Sequence, residues 1–269
     1  MSVRGLRQNT LDSRRTLSAT KTFIPKSSDT TAAWKRNPSW VTMPAVLSTD
    51  QKFVGLYSVW NMDSNFAAFT AAGNYTVDWG DGVVENYSSG ATALHLYSYS
   101  DSDLNNTNGP VTFTASTSTV NRTAHGYVNG DRVKFYNIVT TTGLTEGQFY
   151  YVVNAATDTF KVSATNGGSA VALTNDGSAS LLPYKQAIVT VTPQAGQNLT
   201  GINLKTRHTQ TGLQNQTSSQ WLQMAISSPN FTTTGLVIST GSTTGHWHRH
   251  LEIVNILNLG NTNTCSYMF

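Results

Sequence analysis

The sequence predicts an all-β protein, and three observations carry that expectation. Val, Ile, Thr, Tyr and Phe gather in short runs, Gly-, Asn- and Asp-rich turn signals break those runs, and no stretch of 12 residues sustains a helical period. The nearest approach to a helix is the short segment Ser219–Ile226. Phe53–Trp60, Tyr75–Trp79, Arg132–Tyr136, Phe149–Val153 and Ala187–Val191 read as strands. Turns are expected at Gly80-Asp81-Gly82, Asn129-Gly130, Asn166-Gly167-Gly168 and Asn175-Asp176-Gly177. Glycine reaches positive φ there, and Asn or Asp bonds local backbone. Short strands between such turns pack as sandwiches or small barrels.

The chain opens on a basic segment. Residues 1–36 hold eight cations (Arg4, Arg7, Arg14, Arg15, Lys21, Lys26, Lys35 and Arg36) against Asp12 and Asp29, whereas the rest of the chain is net acidic. A Ser/Thr-rich stretch with few apolar residues cannot bury a core, so residues 1–40 are expected to form an extended arm. The eight cations are candidates for docking on an acidic partner surface. Phosphate binding, which would depend strongly on salt, and a solvated tail are the alternatives.

An alternating strand then ends in a glycine-rich turn, Asn74-Tyr75-Thr76-Val77-Asp78-Trp79-Gly80-Asp81-Gly82, followed by His95-Leu96-Tyr97. This resembles the polycystic-kidney-disease-type (PKD) immunoglobulin-like domain, whose signature continues with a His-X-Tyr and closes on a Val-Thr-Val strand. Ile188-Val189-Thr190-Val191-Thr192 supplies that strand, but roughly ninety residues later, far beyond an ordinary loop. The resemblance therefore implies a PKD-like β-sandwich made of residues 41–110 and 184–194, with residues 111–183 inserted as a small β domain of their own.

Within the insertion, Ala124-His125-Gly126-Tyr127, Gly143-Leu144-Thr145-Glu146-Gly147 and Asp158-Thr159-Phe160-Lys161-Val162 follow in order. That succession is similar to the small β-barrel repeat of tailed-phage structural proteins, often labelled as similar to a half-domain of ubiquitin-activating enzymes. The label implies no ubiquitin chemistry, and His125 is structural on this resemblance. Residues 195–269 carry further strand-like runs at irregular spacings and read as a separate repeat-like β region. Their segment Leu251–Leu259 is similar to one leucine-rich repeat of the bacterial surface-protein (BspA-like) type, with Asn at the turn.

Composition excludes several functional classes. Charged residues make up only 12% of the 269, while Ser, Thr and Asn supply about a third. No apolar run approaches the roughly 20 residues of a membrane-spanning helix, and Met1–Arg7 has no apolar stretch of the secretory kind. The single Cys265 allows neither an internal disulfide nor a Cys-based zinc site. No nucleophile elbow, phosphate loop or dinucleotide fingerprint occurs. No residue is assigned a catalytic role, no cofactor is expected, and the reading is of a protein that is not an enzyme.

The remaining candidates are binding residues. In His246-Trp247-His248-Arg249-His250 the three imidazoles would share one strand face, so His246, His248 and His250 are weak metal candidates. Trp221 and Trp247 are candidates for stacking on a glycan or a partner. Asp78, Asp81 and Gly82 could suggest calcium, but Ser89 stands where a calcium loop needs its bidentate carboxylate, which leaves a turn.

Taken together, the arm, the interrupted sandwich, the phage-type module and the repeat-like end resemble virion structural proteins of tailed bacteriophages, particularly those of marine and cyanobacterial phages. The resemblance implies a tail, baseplate or fibre-attachment subunit located in the virion and anchored by its arm. It further implies other virion proteins as partners and a homo-oligomer, a trimer among the candidates. A host surface is a further candidate partner, and no membrane or nucleic acid is expected. A receptor- or glycan-binding adhesin and a capsid decoration protein are the alternatives.

Overall fold

The computed structural model describes residues 21–23, 35–62, 65–104, 108–205, 220–232, 235–239, 251–260 and 265–266; for 21–23, 238–239 and 265–266 this is the course of the backbone. The fold is all-β. In chain order the first strands are β1 (Lys21–Phe23), β2 (Lys52–Trp60), β3 (Phe66–Ala72), β4 (Tyr75–Asp78), β5 (Val84–Tyr87) and β6 (Thr92–Leu96). Then come β7 (Pro110–Thr114), β8 (Thr119–Asn121), β9 (Arg132–Val133), β10 (Tyr136–Val139), β11 (Tyr150–Val153), β12 (Thr159–Ser163) and β13 (Gly177–Ser180). The last are β14 (Tyr184–Pro193), β15 (Gly201–Lys205), β16 (Trp221–Ser227), β17 (Leu236–Ser239), β18 (Ile253–Asn258) and β19 (Cys265–Ser266).

Among the described residues these strands form three sheets. Sheet A runs β1-β18-β16-β2-β14-β4-β5, and sheet B runs β19-β17-β15-β3-β6. Their inner faces meet over one apolar core that includes Phe53, Tyr57, Phe69, Trp79, Val189, Leu204 and Trp221. Trp221 meets Phe53 and Tyr57 edge-on at ring separations of 5.6 and 5.2 Å, and Tyr57 stacks on Tyr97 at 5.2 Å. Gly55 makes room for that indole, since a Cβ there would lie 2.3 Å from the Trp221 ring.

Sheet A is covered on its outer face as well. Residues 40–46 lay Trp40 and Val46 against Leu56, Leu222, Val54 and Ala225. Burial on both faces explains why every residue of β16 is buried. Trp221–Ile226, from the Ser219–Ile226 segment nearest to a helix, is for the same reason part of a central strand, with Gln223 buried among its apolar neighbours.

Strands β7 to β13 pair only with one another, in the order β10-β13-β7-β8-β12-β11-β9. The two edges, β9 and β10, are halves of one stretch separated only by Lys134 and Phe135, so the sheet rolls into a near-closed barrel around Phe113, Val120, Phe135, Phe160 and Val162. The chain enters and leaves this barrel at one place. Leu181 and Leu182 donate their N–H groups to the Gly109 and Asn108 carbonyls, each at 2.9 Å. Gly177, at an expected turn, instead opens β13, where a side chain would strike the Val139 carbonyl at 2.1 Å.

The described strands of residues 195–269 pair into sheets A and B. β15 joins sheet B beside β3, and β16 joins sheet A beside β2, both antiparallel. From there successive strands alternate between the two sheets: β17 adds in parallel to β15 and β19 in parallel to β17, while β18 adds in parallel to β16. The C-terminal part is therefore a flat coil with two strands per turn, one in each layer. The Leu251–Leu259 segment contributes β18 to it. A single such coil cannot cover its own apolar face, and growing from the existing sheet edges solves that problem. At the far edge of sheet A, β1 pairs antiparallel with β18, Lys21 opposite Ile256 and Phe23 opposite Val254.

Two outcomes follow from this core. Gly55→Ala forces the Trp221 ring aside and should lower stability by about 1–3 kcal/mol, the usual cost of overpacking, read from the urea midpoint. The second concerns the tyrosines. Burial raises Tyr57 and Tyr97 well above the ordinary phenol range and lifts Tyr75 to about 12. A raised folded-state value means that the unfolded chain loses these protons first. Stability should thus be fully present below pH about 10, the unfolded value, and be lost as pH rises through the folded values. Tyrosinate absorbance followed against circular dichroism should show the buried phenols ionising together with unfolding.

Candidate functional site

Arg4, Arg7, Arg14, Arg15, Lys26, His246, Trp247, His248 and His250 lie outside the described residues, and of Lys21 only the backbone in β1 is described. The structure places the other candidates, Lys35, Arg36 and Trp221. Trp221 is 1% exposed at the centre of the core and offers no face to a glycan. Its indole N–H has no acceptor among the described residues, a cost of about 1–3 kcal/mol that ring burial offsets.

Lys35 and Arg36, two of the docking candidates, are bonded within this chain. Lys35 Nζ donates to Asp131 Oδ2 at 2.6 Å and to the Gly126 carbonyl at 3.4 Å, both on the barrel. Arg36 donates to Gln223 Oε1 on β16 at 2.8 Å and to the Trp40 and Val41 carbonyls at 2.9 and 2.5 Å. Burial pulls its guanidinium below the usual value.

From Lys35 to Val41 the chain is a bracket between barrel and sandwich. The Ser39 hydroxyl lies 2.6 Å from Tyr127 Oη and accepts from Arg122 Nη1 at 2.6 Å, both residues belonging to the barrel. On the sandwich side, Trp40 Nε1 donates to Tyr184 Oη at 2.9 Å. Gln186 donates to the Ser39 carbonyl at 3.1 Å and accepts from the Val41 N–H at 3.0 Å. His125, beside Tyr127, is 2% exposed; its Nδ1 accepts from the Tyr127 N–H at 3.0 Å, and its Nε2 lies 3.1 Å from the Thr159 carbonyl. Both nitrogens are committed to holding the turn.

The densest polar cluster lies at the β4–β5 turn. Asp81 Oδ2 stands 2.5 Å from His95 Nε2, and Asp81 Oδ1 accepts from the Val83 N–H at 3.2 Å. The His95 ring lies flat on Trp79 at 4.9 Å and meets the edge of Tyr97 at 4.6 Å. Tyr97 donates to the Trp79 carbonyl at 2.7 Å, and Trp79 Nε1 donates to Glu85 Oε2 at 2.9 Å. Hydrogen bonds from Tyr87 and then Trp79 hold the Glu85 carboxyl below its usual range.

This is a carboxylate–imidazole pair of the kind that activates nucleophiles, but its geometry serves another end. Asp81 is 4% exposed, and both of its oxygens are engaged. Its bonds tie the turn to β6 and hold the two sheets together there. Asp78 Oδ1 accepts from the Gly80 N–H at 2.9 Å, and Gly80 and Gly82 take φ of 79° and 91°, so the turn reading of Asp78, Asp81 and Gly82 describes their geometry. Among the described residues no three His, Cys, Asp or Glu side chains group as metal ligands.

Two cavities lie away from this turn. One of about 470 Å³ lies beneath residues 42–46 and is mainly apolar; another of about 370 Å³ on the barrel is rimmed by Asn129, Asn154 and Asn166. The site thus belongs to an all-β scaffold whose polar networks fix turns and module contacts. Comparison with family models, with curated proteins and with solved structures finds no match for this chain.

Replacing His95 tests the pair. His95→Leu leaves a buried carboxylate without its partner and should cost about 3 kcal/mol or more in urea unfolding. His95→Gln, which keeps a donor within reach, should cost clearly less.

Proposed function

We propose that this chain is a structural subunit of a tailed-phage virion, of the tail, baseplate or fibre-attachment region, and not a catalyst. The observation that carries the reading is the use of the two ends of the chain. The arm strand β1 is laid onto the outer edge of sheet A, and the C-terminal strands extend both sheets by parallel addition. Backbone edges used in this way suit a subunit that assembles through extended segments.

The motifs behind the family resemblance also support the reading. Asp-Trp-Gly-Asp-Gly and His95-Leu96-Tyr97 meet through Asp81 and His95, and Ile188–Thr192 lies in β14 beside β4, as a PKD-like sandwich requires. The inserted barrel fits the phage-type module. A surface rich in Ser, Thr and Asn and poor in charge packs against neighbours without desolvating ions. The burial of Trp221 removes one of the two stacking candidates on which a glycan-binding adhesin would rely.

Antibodies against the recombinant chain should label particles of a phage that carries this gene, at the tail, in immuno-electron microscopy. Unlabelled intact particles would overturn the reading. For the arm, light scattering at 500 mM NaCl, where salt screens contacts between surface charges, should give a homo-oligomer for the full chain and a monomer after deletion of residues 1–34, which spares Lys35 and Arg36. A monomer in both forms would reassign the arm to a different virion protein.

A further inference from the structure

The charges of the barrel are used very unevenly. Its four carboxylates all tie down backbone: Asp131 bonds the Val128 N–H, Glu146 that of Asn137, Asp158 that of Ala124 and Asp176 that of Ala115. Arg132 and Lys134, by contrast, have no carboxylate partner among the described residues. Both lie over the ring of Phe149, at 4.9 and 4.1 Å from its centre. Phe149 is 49% exposed, so the barrel presents an apolar centre flanked by two unneutralised cations.

The β4–β5 turn presents the converse. Val83 and Val84 are 40% and 61% exposed, and Val84 stands opposite Asp78 across the β-ladder. Asp103 lies beside the same turn, its Cβ 3.9 Å from where a Gly82 side chain would begin. Neither Asp78 nor Asp103 has a cation partner among the described residues. The nearby Lys185 donates to the Asp101 carbonyl, not to a carboxylate. This is an exposed apolar pair rimmed by acids.

We infer that these two surfaces are the two halves of one contact between copies of this chain, the Phe149 face of one copy seated on the Val83–Val84 turn of the next. An apolar centre within a polar rim is the usual anatomy of an interface, and opposite rim charges set its register and speed encounter. Because the halves differ, the contact is head-to-tail, and its repetition closes a ring or extends a filament. The contact uses neither the arm nor β1, so it stands apart from arm-mediated assembly.

The test uses the full chain in sedimentation velocity at 50 and 500 mM NaCl. Association is expected at low salt and should weaken at high salt. Lys134→Glu and Asp103→Lys, both surface changes, should each weaken self-association about tenfold or more while leaving the thermal midpoint unchanged. Mixing the two variants should restore association, because each supplies the intact half that the other lacks. Wild-type protein that stays monomeric at low salt would overturn the inference. So would a salt-dependent association that both reversals leave intact, or variants in which mixing fails to restore it. Deletion of residues 1–34 supplies the control: it abolishes assembly through the arm and leaves this contact in place.

Discussion

The eight-residue register between β14 and β2, from Tyr184 opposite Trp60 to Val191 opposite Phe53, is the constraint on which the sandwich depends. Through it a strand that returns only after the whole barrel has been traversed becomes the neighbour of a strand laid down before it. A flexible loop of that length would have to close against its own entropy. Here the intervening chain has folded around its own core, and its two ends are bonded side by side at Asn108–Gly109 and Leu181–Leu182. The sandwich thus sees little more than a short connection. β14 then pairs with β4 on its other side, which places the Asp81 turn against β6 and completes the core around Tyr57, Trp79 and Tyr97.

Much of this architecture was legible in the sequence, for identifiable reasons. Phe53–Trp60, Phe149–Val153 and Ala187–Val191 are dense in β-branched and aromatic residues and are strands, and Gly80 and Gly82 mark a turn because only glycine adopts their φ easily. What failed to show has a common cause, in that it depends on residues far apart in the chain. Trp221 looked like a surface aromatic because nothing near it in sequence says that sheet A is covered on both faces. The Lys35–Asp131 pair spans 96 positions, so a locally basic segment gave no sign that its last two cations are internal.

The C-terminal coil was hidden for a related reason. Its strands arrive at irregular spacings without a repeated motif, and a repeat is recognised from sequence by self-similarity. The alternation between sheets is set by the edges that β2 and β3 already offer, which no local pattern encodes. The Asp81–His95 bond lies between these extremes. Both segments were conspicuous and only 14 positions apart, yet the pairing itself belongs to the packing of two layers.

Charge in this protein works mostly as local architecture. Carboxylates cap turns, the half-buried Arg36 and Arg122 bond carbonyls and hydroxyls, and Lys35 fastens one module to another. The close approach of the two ends of the barrel has a further meaning at the level of the gene. A segment whose first and last residues are hydrogen-bonded neighbours can be lifted out, lengthened or exchanged for a two-residue turn while β2, β14 and β4 keep their register. The barrel is in that sense a cassette, and the bracket at Asn37 and Ser39 is the part of the host fold that must change with it. Recombination can therefore furnish one sandwich with different outward modules, so that the surface diversifies while the scaffold stays constant.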